Sequence, residues 1–208
     1  LIFLHTGTLA GWSEAQALVF ISGFLVVDGI AMTLFATNLW WFAIYVNNGS
    51  LDYYLVRPVS TLFFLSFRDF AVNSCVNLLM AVGLLVWYLH EYPVSFSAFQ
   101  LSLYVLLLCA GTYLYYLVRI AFAIPVFWTQ SGRGLDMVFA TFSRFAERPH
   151  RLFSGWMRLV LVTILPFGLM ASYPADVLFN SITIAPIAHM VAVIVFLSIG
   201  VYGFWRQG

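Results

Sequence analysis

The sequence has little charge and few of the side chains with which enzymes do chemistry. Only 8% of its 208 residues are charged, whereas soluble domains carry about a quarter. Its nine basic residues are all arginine, its four histidines are scattered without an i, i+4 pair, and its two cysteines lie inside apolar runs. This composition excludes an ordinary soluble domain, and the histidine spacing argues against a metal or haem site.

Sequence motifs of nucleotide binding and hydrolysis are also missing. The chain contains no Gly-x-x-x-x-Gly-Lys-Ser/Thr motif, so it cannot bind ATP through a P-loop. Neither Gly-x-Ser-x-Gly nor His-Glu-x-x-His occurs. We therefore predict no catalytic residue, no metal site and no cofactor in this chain, and no nucleic acid among its partners.

Long apolar runs dominate the sequence. The chain is 63% hydrophobic, with a mean hydropathy of +0.97, and its runs reach the roughly 20 residues that a helix needs to cross a bilayer. They form five blocks, at about residues 13–46, 62–89, 97–128, 155–170 and 184–205. We predict an all-α, polytopic helical membrane protein with five visible transmembrane spans. Ser13 and Glu14 are expected to cap the first.

The arginines are distributed unevenly between the loops on the two sides of these spans. One side is predicted to carry Arg57, Arg68, Arg133, Arg144, Arg148, Arg151 and Arg206. The other side has segments 1–14, 90–96 and 171–183, which contain no arginine. Because positive residues tend to stay in the cytoplasm, we expect segments 47–58 and 129–151 and the C-terminus to be cytoplasmic.

Three polar side chains fall within the apolar blocks. Asp28 lies near the middle of the first block, either in a substrate pathway or at a helix contact, where Ser22 or Thr33 could be a neighbour. Arg119 is expected to extend toward the cytoplasmic interface, or to pair with Asp28 or a lipid phosphate. His189 is expected to make a hydrogen-bonded helix contact.

Segment 47–58 is a polar island between the first two blocks. Gly49 permits a sharp turn, Ser50 can cap a short helix, and Asp52 would lie in its first turn. Pro58 disfavours helical geometry at the residue before it. These signals predict a stiff helix of about two turns.

The apolar residues of this island recur at helical spacing and would share one face of the short helix. They are Leu51, Tyr54 and Leu55. On local physics alone, such a face suits either an ordinary interfacial loop among lipid headgroups or a docking surface for another protein.

The island also carries the pattern Gly-x-Leu-Asp-x-x-Leu-x-Arg-Pro. It is filled by Gly49, Leu51, Asp52, Leu55, Arg57 and Pro58. This pattern resembles the signature of bacterial ABC transporter permeases of the type-2 exporter class. The similar features that follow in order are a loop at Tyr92-Pro93, a helix end at Ile164-Leu165-Pro166 and a second Tyr-Pro pair at Tyr173-Pro174. The resemblance covers most of the chain from Gly11 onward.

The resemblance implies six spans in the bacterial inner membrane, with both termini in the cytoplasm. Residues 1–208 would form a single permease domain whose first span is missing from the start of the chain. The proline-broken segment 166–180 would be an extracytoplasmic excursion near the fifth expected span, and would help to close the outer gate.

The resemblance further implies a permease subunit of an ATP-driven exporter. Two permeases, identical or paralogous, would form the pathway, and separate ATPase subunits would bind ATP and Mg²⁺. Segment 49–58 would be the coupling element, with its apolar face in a cleft of the ATPase and with Asp52 and Arg57 paired to charges around that cleft. The alternative is a non-transporting membrane anchor or assembly subunit for a cytoplasmic partner.

Segment 135–148 is predicted to be an amphipathic helix in the inner-leaflet interface. Val138, Phe142 and Phe145 would line its apolar side, opposite Thr141, Arg144 and Glu147. With Arg148 and Arg151 nearby, it would either transmit ATPase motion and contact anionic headgroups or serve as a passive anchor.

Overall fold

The described part of the chain is built from helices. The computed structural model describes residues 12–55, 58, 60–93, 95–130, 132–180 and 184–207, the side chains of Tyr54, Leu55 and His150 excepted. The helices in this part are α1 (Glu14–Asn47), α2 (Leu51–Leu55), α3 (Thr61–Phe67), α4 (Val72–His90), α5 (Ala98–Thr129), α6 (Gly132–Ser143), α7 (Gly155–Ile164), α8 (Ser172–Phe179) and α9 (Ile184–Trp205).

Four of the described helices, α1, α4, α5 and α9, are long and apolar enough to cross a membrane. A fifth candidate is a broken pair, in which α7 and the segment Pro166–Phe179 meet at 76°. The predicted all-α, polytopic membrane fold is therefore confirmed.

Two of the long helices begin with the same reciprocal cap. Ser13 Oγ accepts a hydrogen bond from Gln16 N–H at 3.4 Å, and Gln16 Oε1 accepts one from Ser13 N–H at 3.0 Å. Ser97 and Gln100 form the same arrangement at the start of α5. Each pair satisfies two amide groups that a helix start leaves unpaired, which confirms the predicted start of α1.

The second apolar block is broken, whereas the sequence predicts one continuous span. Helix α3 ends at Phe67 and α4 begins at Val72. Asn38 of α1 bridges this break: its Nδ2 donates to the carbonyl oxygens of Ser66 (3.0 Å) and Asp69 (2.7 Å), and its Oδ1 accepts from Asp69 N–H (3.2 Å). The break persists because this buried amide satisfies backbone groups that a continuous helix would pair internally.

Arg68 lies in the break and is held by two neighbours. Its Nη2 donates to Tyr45 Oη at 2.6 Å and lies 2.7 Å from Asp69 Oδ2. Burial opposes its charge, but the hydrogen bonds to Asp69 and Tyr45 raise the pKa of Arg68 above its ordinary value. Arg68 therefore stays charged.

The bundle has two ends, which aromatic contacts define. At the α2 end, the Phe42 ring lies 5.4 Å from that of Phe127 and 5.8 Å from that of Trp205, so the ends of α1, α5 and α9 meet. At the Trp12 end, Phe179 stacks on Tyr92 at 5.2 Å and lies 6.4 Å from the Trp12 ring. The start of α1, the end of α4 and the end of α8 meet there.

The segment from α6 to Arg151 runs from one end of the bundle to the other. Gly132 lies so close to Ala43 that a side chain at this glycine would overlap the alanine, which places the start of α6 at the α2 end. Arg151 lies at the Trp12 end, where its Nη2 is 2.8 Å from Asp176 Oδ1 and its guanidinium is 5.9 Å from the Trp12 ring. The prediction that segment 129–151 stays on one side is therefore wrong.

The fourth predicted span, 155–170, is also wrong. Helix α7 starts just after Arg151, and α8 returns to Phe179 at the same end, so the two form a re-entrant hairpin. Its turn reaches the middle of α5, where Met170 packs against Gly111. Five passages between the ends remain in the described chain, but segment 132–151 makes the fourth. Arg151 accordingly leaves the set of arginines predicted at the α2 end.

The proline positions in this hairpin differ from the prediction in one place. The predicted helix end at Ile164-Leu165-Pro166 is confirmed, because α7 ends at Ile164. The expectation that segment 166–180 is broken at its prolines is wrong at the second one, because α8 begins at Ser172 and runs through Pro174. Proline is tolerated there because the first turn of a helix needs no amide donor at that position.

Helix α6 ends earlier and packs more deeply than the helix predicted at 135–148. It covers Gly132–Ser143, and turns follow to Glu147. Phe139 is its buried residue, with its ring 5.7 Å from those of Tyr115 and Phe122 on α5. Val138 is 44% exposed, so the buried side centres on Phe139 instead. Packing against α5 reorients the helix.

The crossing can be tested by labelling single cysteines. In a background with Cys75 and Cys109 replaced by alanine, we expect Arg133→Cys and Leu152→Cys to react with a membrane-impermeant maleimide from opposite sides of sealed vesicles. Both native residues are exposed and lie close to the two ends of the segment. Labelling of both cysteines from one side would contradict the crossing.

Candidate coupling surface and intramembrane charges

Helix α2 is joined to α1 by a tight turn. Gly49 has φ +70°, a conformation that side chains disfavour, as predicted for the sharp entry. Asp52 N–H donates to Gly49 O at 3.4 Å and Asp52 lies in the first turn. The cap at Ser50 stays a prediction.

Leu51 faces the bundle, contrary to the expectation that it fills a cleft in a partner. It is 7% exposed and packs in a cluster with Phe42, Leu65, Ala123 and Val126. Asp52 is exposed, and so is Tyr53, with 67% of its surface accessible. Leu51 therefore anchors α2 to α1, α3 and α5, while the next two residues face outward.

Tyr53 is the residue of this surface that the sequence analysis missed. Two residues along a helix correspond to a rotation of about 200°, so an inward Leu51 turns Tyr53 outward. Helical periodicity could have indicated Tyr53, but only once Leu51 was known to lie on the buried face of the helix. The side chains of Tyr54 and Leu55, and all of Arg57, lie outside the described residues, and Pro58 is exposed.

Arg119 is buried inside the bundle and pairs with α6. Its side chain is 1% exposed, and its Nη2 lies 2.7 Å from Asp136 Oδ1. The contact is an ion pair without hydrogen-bond alignment, and Arg119 Nε has no acceptor in the described part of the chain. The guanidinium also lies 4.8 Å from the Phe139 ring centre. The predictions of extension to the interface and of pairing with Asp28 are wrong, because α6 supplies the partner.

Asp28 has neither of its expected neighbours as a partner. Ser22 Oγ donates to backbone carbonyl groups of its own helix, and Thr33 Oγ1 has no hydrogen bond within the described chain. The half-buried Asp28 carboxylate instead interacts electrostatically with Glu147 and Tyr115. Of these three side chains, Glu147 is exposed. A role of Asp28 in a pathway stays a prediction.

The remaining predicted polar residues are distributed over the Trp12 end and the surface. His189 makes the expected helix contact, with Tyr173 Oη 3.4 Å from its Nδ1. Arg144 and Arg148 are exposed, and their contact with headgroups stays a prediction. Arg151 pairs with Asp176 instead of lying in a surface at the α2 end.

One comparison with known proteins identifies the family. A family model described as ABC-2 family transporter protein matches residues 1–208. No curated protein and no solved structure matches the chain. The match covers the whole polytopic bundle, so the chain belongs to the ABC-2 transporter family and is a membrane permease subunit of an ABC transporter.

Proposed function

We propose that this permease couples ATP hydrolysis in separate ATPase subunits to export, and that α2 is the coupling helix. The observation that carries the proposal is the geometry of α2. Its buried Leu51 fixes it to α1, α3 and α5, while Asp52 and the 67%-exposed Tyr53 are presented outward. A helix held in this way can transmit a displacement of the bound partner to the bundle.

Two ATPase subunits would bind at the α2 ends of two permeases, which form the pathway between them. ATP and Mg²⁺ belong to the ATPase, and this chain supplies the docking surface. Tyr53 is the aromatic anchor for the partner, and Asp52 and Arg57 pair with charges around its cleft; Tyr54, Leu55, Gly49 and Pro58 complete the element. Buried aromatic and arginine anchors often dominate such interfaces.

Export and cellular location rest on the family resemblance and on the arginines of the α2 end. Two arginines, Arg68 and Arg133, lie at this end, and Arg57 and Arg206 follow α2 and α9 closely in the sequence. This distribution supports a cytoplasmic α2 and C-terminus in a bacterial inner membrane. Asp28 is proposed to face the substrate pathway, because it is a half-buried ionisable side chain without an ion-pair partner in the described chain.

The coupling role predicts a loss of ATPase binding when the outward residues of α2 are removed. We expect Asp52→Ala combined with Tyr53→Ala to weaken binding of the copurifying ATPase by about 30-fold or more, since hot-spot residues contribute about 2 kcal/mol or more. Binding affinity and substrate-stimulated ATP hydrolysis in liposomes are the measurements.

Tyr202→Ala is the matched control, because Tyr202 is 60% exposed on α9 and lies outside the proposed surface. Full stimulation in the Asp52→Ala/Tyr53→Ala variant would contradict the coupling role. An ATPase that binds the wild-type permease but drives no transport would favour the membrane-anchor alternative.

A further inference from the structure

A cationic cavity lies between the re-entrant hairpin and the last span. Its volume is about 280 Å³. The lining residues are Gly155, Arg158, Leu159, Val162, Thr163 and His189. Arg158 was not singled out from the sequence, although an arginine inside an apolar block is itself a signal of a functional site.

The charge of Arg158 is not balanced within the described chain. It is exposed and makes no ion pair there. Asp176 attracts it from a longer distance, but that carboxylate is already held by Arg151, through Nη2 at 2.8 Å and Nε at 3.3 Å. Arg158 is therefore available to pair with an anionic group of another molecule.

His189 adds a second donor to the same cavity. Its Nδ1 faces Tyr173 Oη at 3.4 Å, and its Nε2 makes no hydrogen bond to a described residue. When the tyrosine donates to Nδ1, the proton of the neutral ring lies on Nε2. That N–H and the Arg158 guanidinium then present donors to one anionic group.

An apolar groove continues from this cavity along the same two helices. It has a volume of about 650 Å³ and shares Thr163 with the cationic cavity. It is lined by Thr163, Ile164, Ala192, Val193, Phe196 and Leu197. The surface around both is apolar and exposed, with Trp156 at 74% and Ile184 at 81%. A ligand that fits both parts has an anionic head and a hydrocarbon tail.

We propose that Arg158 and His189 bind the phosphate of a membrane phospholipid, and that one acyl chain lies in the groove between α7 and α9. Arginine is well suited to the phosphate, because its planar guanidinium can donate two parallel hydrogen bonds. The exposed Trp156 beside it suits the membrane–water interface. The site lies at the Trp12 end, away from the proposed coupling surface, and does not depend on it.

Native mass spectrometry of the purified permease, titrated with dioleoylphosphatidylglycerol, tests the phosphate contact. We expect Arg158→Gln to weaken binding about ten- to a hundredfold, as for loss of a charge-assisted hydrogen bond. His189→Gln should have a smaller effect in the same direction. Arg133→Gln, at an exposed arginine at the α2 end and outside the cavity, is the matched control. Equal affinity in Arg158→Gln and Arg133→Gln would overturn the proposal.

The source of the phosphate is tested with a second variant and two further probes. Ala192→Trp fills the exposed groove and should reduce phosphatidylglycerol binding at least tenfold while leaving the weak binding of inorganic phosphate unchanged. Dioleoylglycerol, which lacks the phosphate, should bind at least tenfold more weakly than the phospholipid. Full binding of phosphatidylglycerol to Ala192→Trp would show a free-anion site and overturn the lipid assignment; full binding of dioleoylglycerol would overturn the phosphate contact.

Discussion

Asp136→Leu is expected to lower the free energy of unfolding of the permease by about 3–5 kcal/mol, the cost of breaking a buried ion pair by removing one partner. The variant leaves the guanidinium of Arg119, which is 1% exposed, without its carboxylate. Because Arg119 Nε already lacks an acceptor in the described chain, this environment offers little compensation. Denaturant unfolding in mixed micelles, followed by circular dichroism, measures the loss.

The two partners of this pair differ in exposure, so we expect their single substitutions to have different costs. Arg119→Met should cost less, because the Asp136 side chain is 38% exposed and lines a cavity at the α2 end with Asn47 and Arg133, where water can solvate it. The double variant Arg119→Met/Asp136→Leu should recover most of the stability, since an apolar pair can replace a buried ion pair.

Arg133→Met is the matched control for the ion pair, because this exposed arginine lies on the same helix without an ion pair in the described chain. Its effect should fall within about 0.5 kcal/mol. A similar loss in Asp136→Leu and Arg133→Met would show that the buried pair does not hold α6 in the bundle.

Gly111→Ala is expected to destabilise the protein by about 1–3 kcal/mol or more and to abolish most transport. A methyl group at this position would overlap the Met170 carbonyl oxygen and lie 2.9 Å from its carbonyl carbon. Backbone atoms cannot rotate away as a side chain can, so the re-entrant hairpin must shift off α5. Unfolding and transport in liposomes, measured on the same preparations, report both effects.

Gly83→Ala provides the comparison for Gly111. Gly83 also lies within a membrane helix, but a methyl group there would meet nothing within 4 Å. Alanine should therefore stabilise α4 by about 0.5–1 kcal/mol through its better helix propensity and leave transport intact. Equal behaviour of the two variants would argue against a close packing of hairpin and α5.

Features that depend on neighbouring residues were predictable from the sequence. The caps at Ser13 and Ser97, the turn at Gly49 and the helix end before Pro166 all arise from interactions within a few residues. The apolar blocks gave the helical membrane class, because crossing a bilayer requires long apolar helices.

Features that depend on distant partners were not predictable in this way. Segment 132–151 looks too polar to cross the bundle until Arg119, on another helix, supplies a partner for Asp136. The break after Phe67 likewise depends on Asn38, about 30 residues earlier. The burial of Leu51 against the bundle was mispredicted for the same reason. Periodicity shows which residues share a face of a helix, but not whether that face packs against the bundle or against a partner.

The Asn38 amide also gives the bundle a particular stiffness. It clamps the α3–α4 junction onto α1 about one turn from Phe42, against which Leu51 packs. A load applied to α2 is thus shared by α1 and α4 at their common end. Helix α4 then carries it the full depth of the bundle, where Tyr92 rests on Phe179 of the re-entrant hairpin. Helix α4 thus connects the two ends of the bundle, and the buried Asn38 side chain fastens the start of this connection to α1.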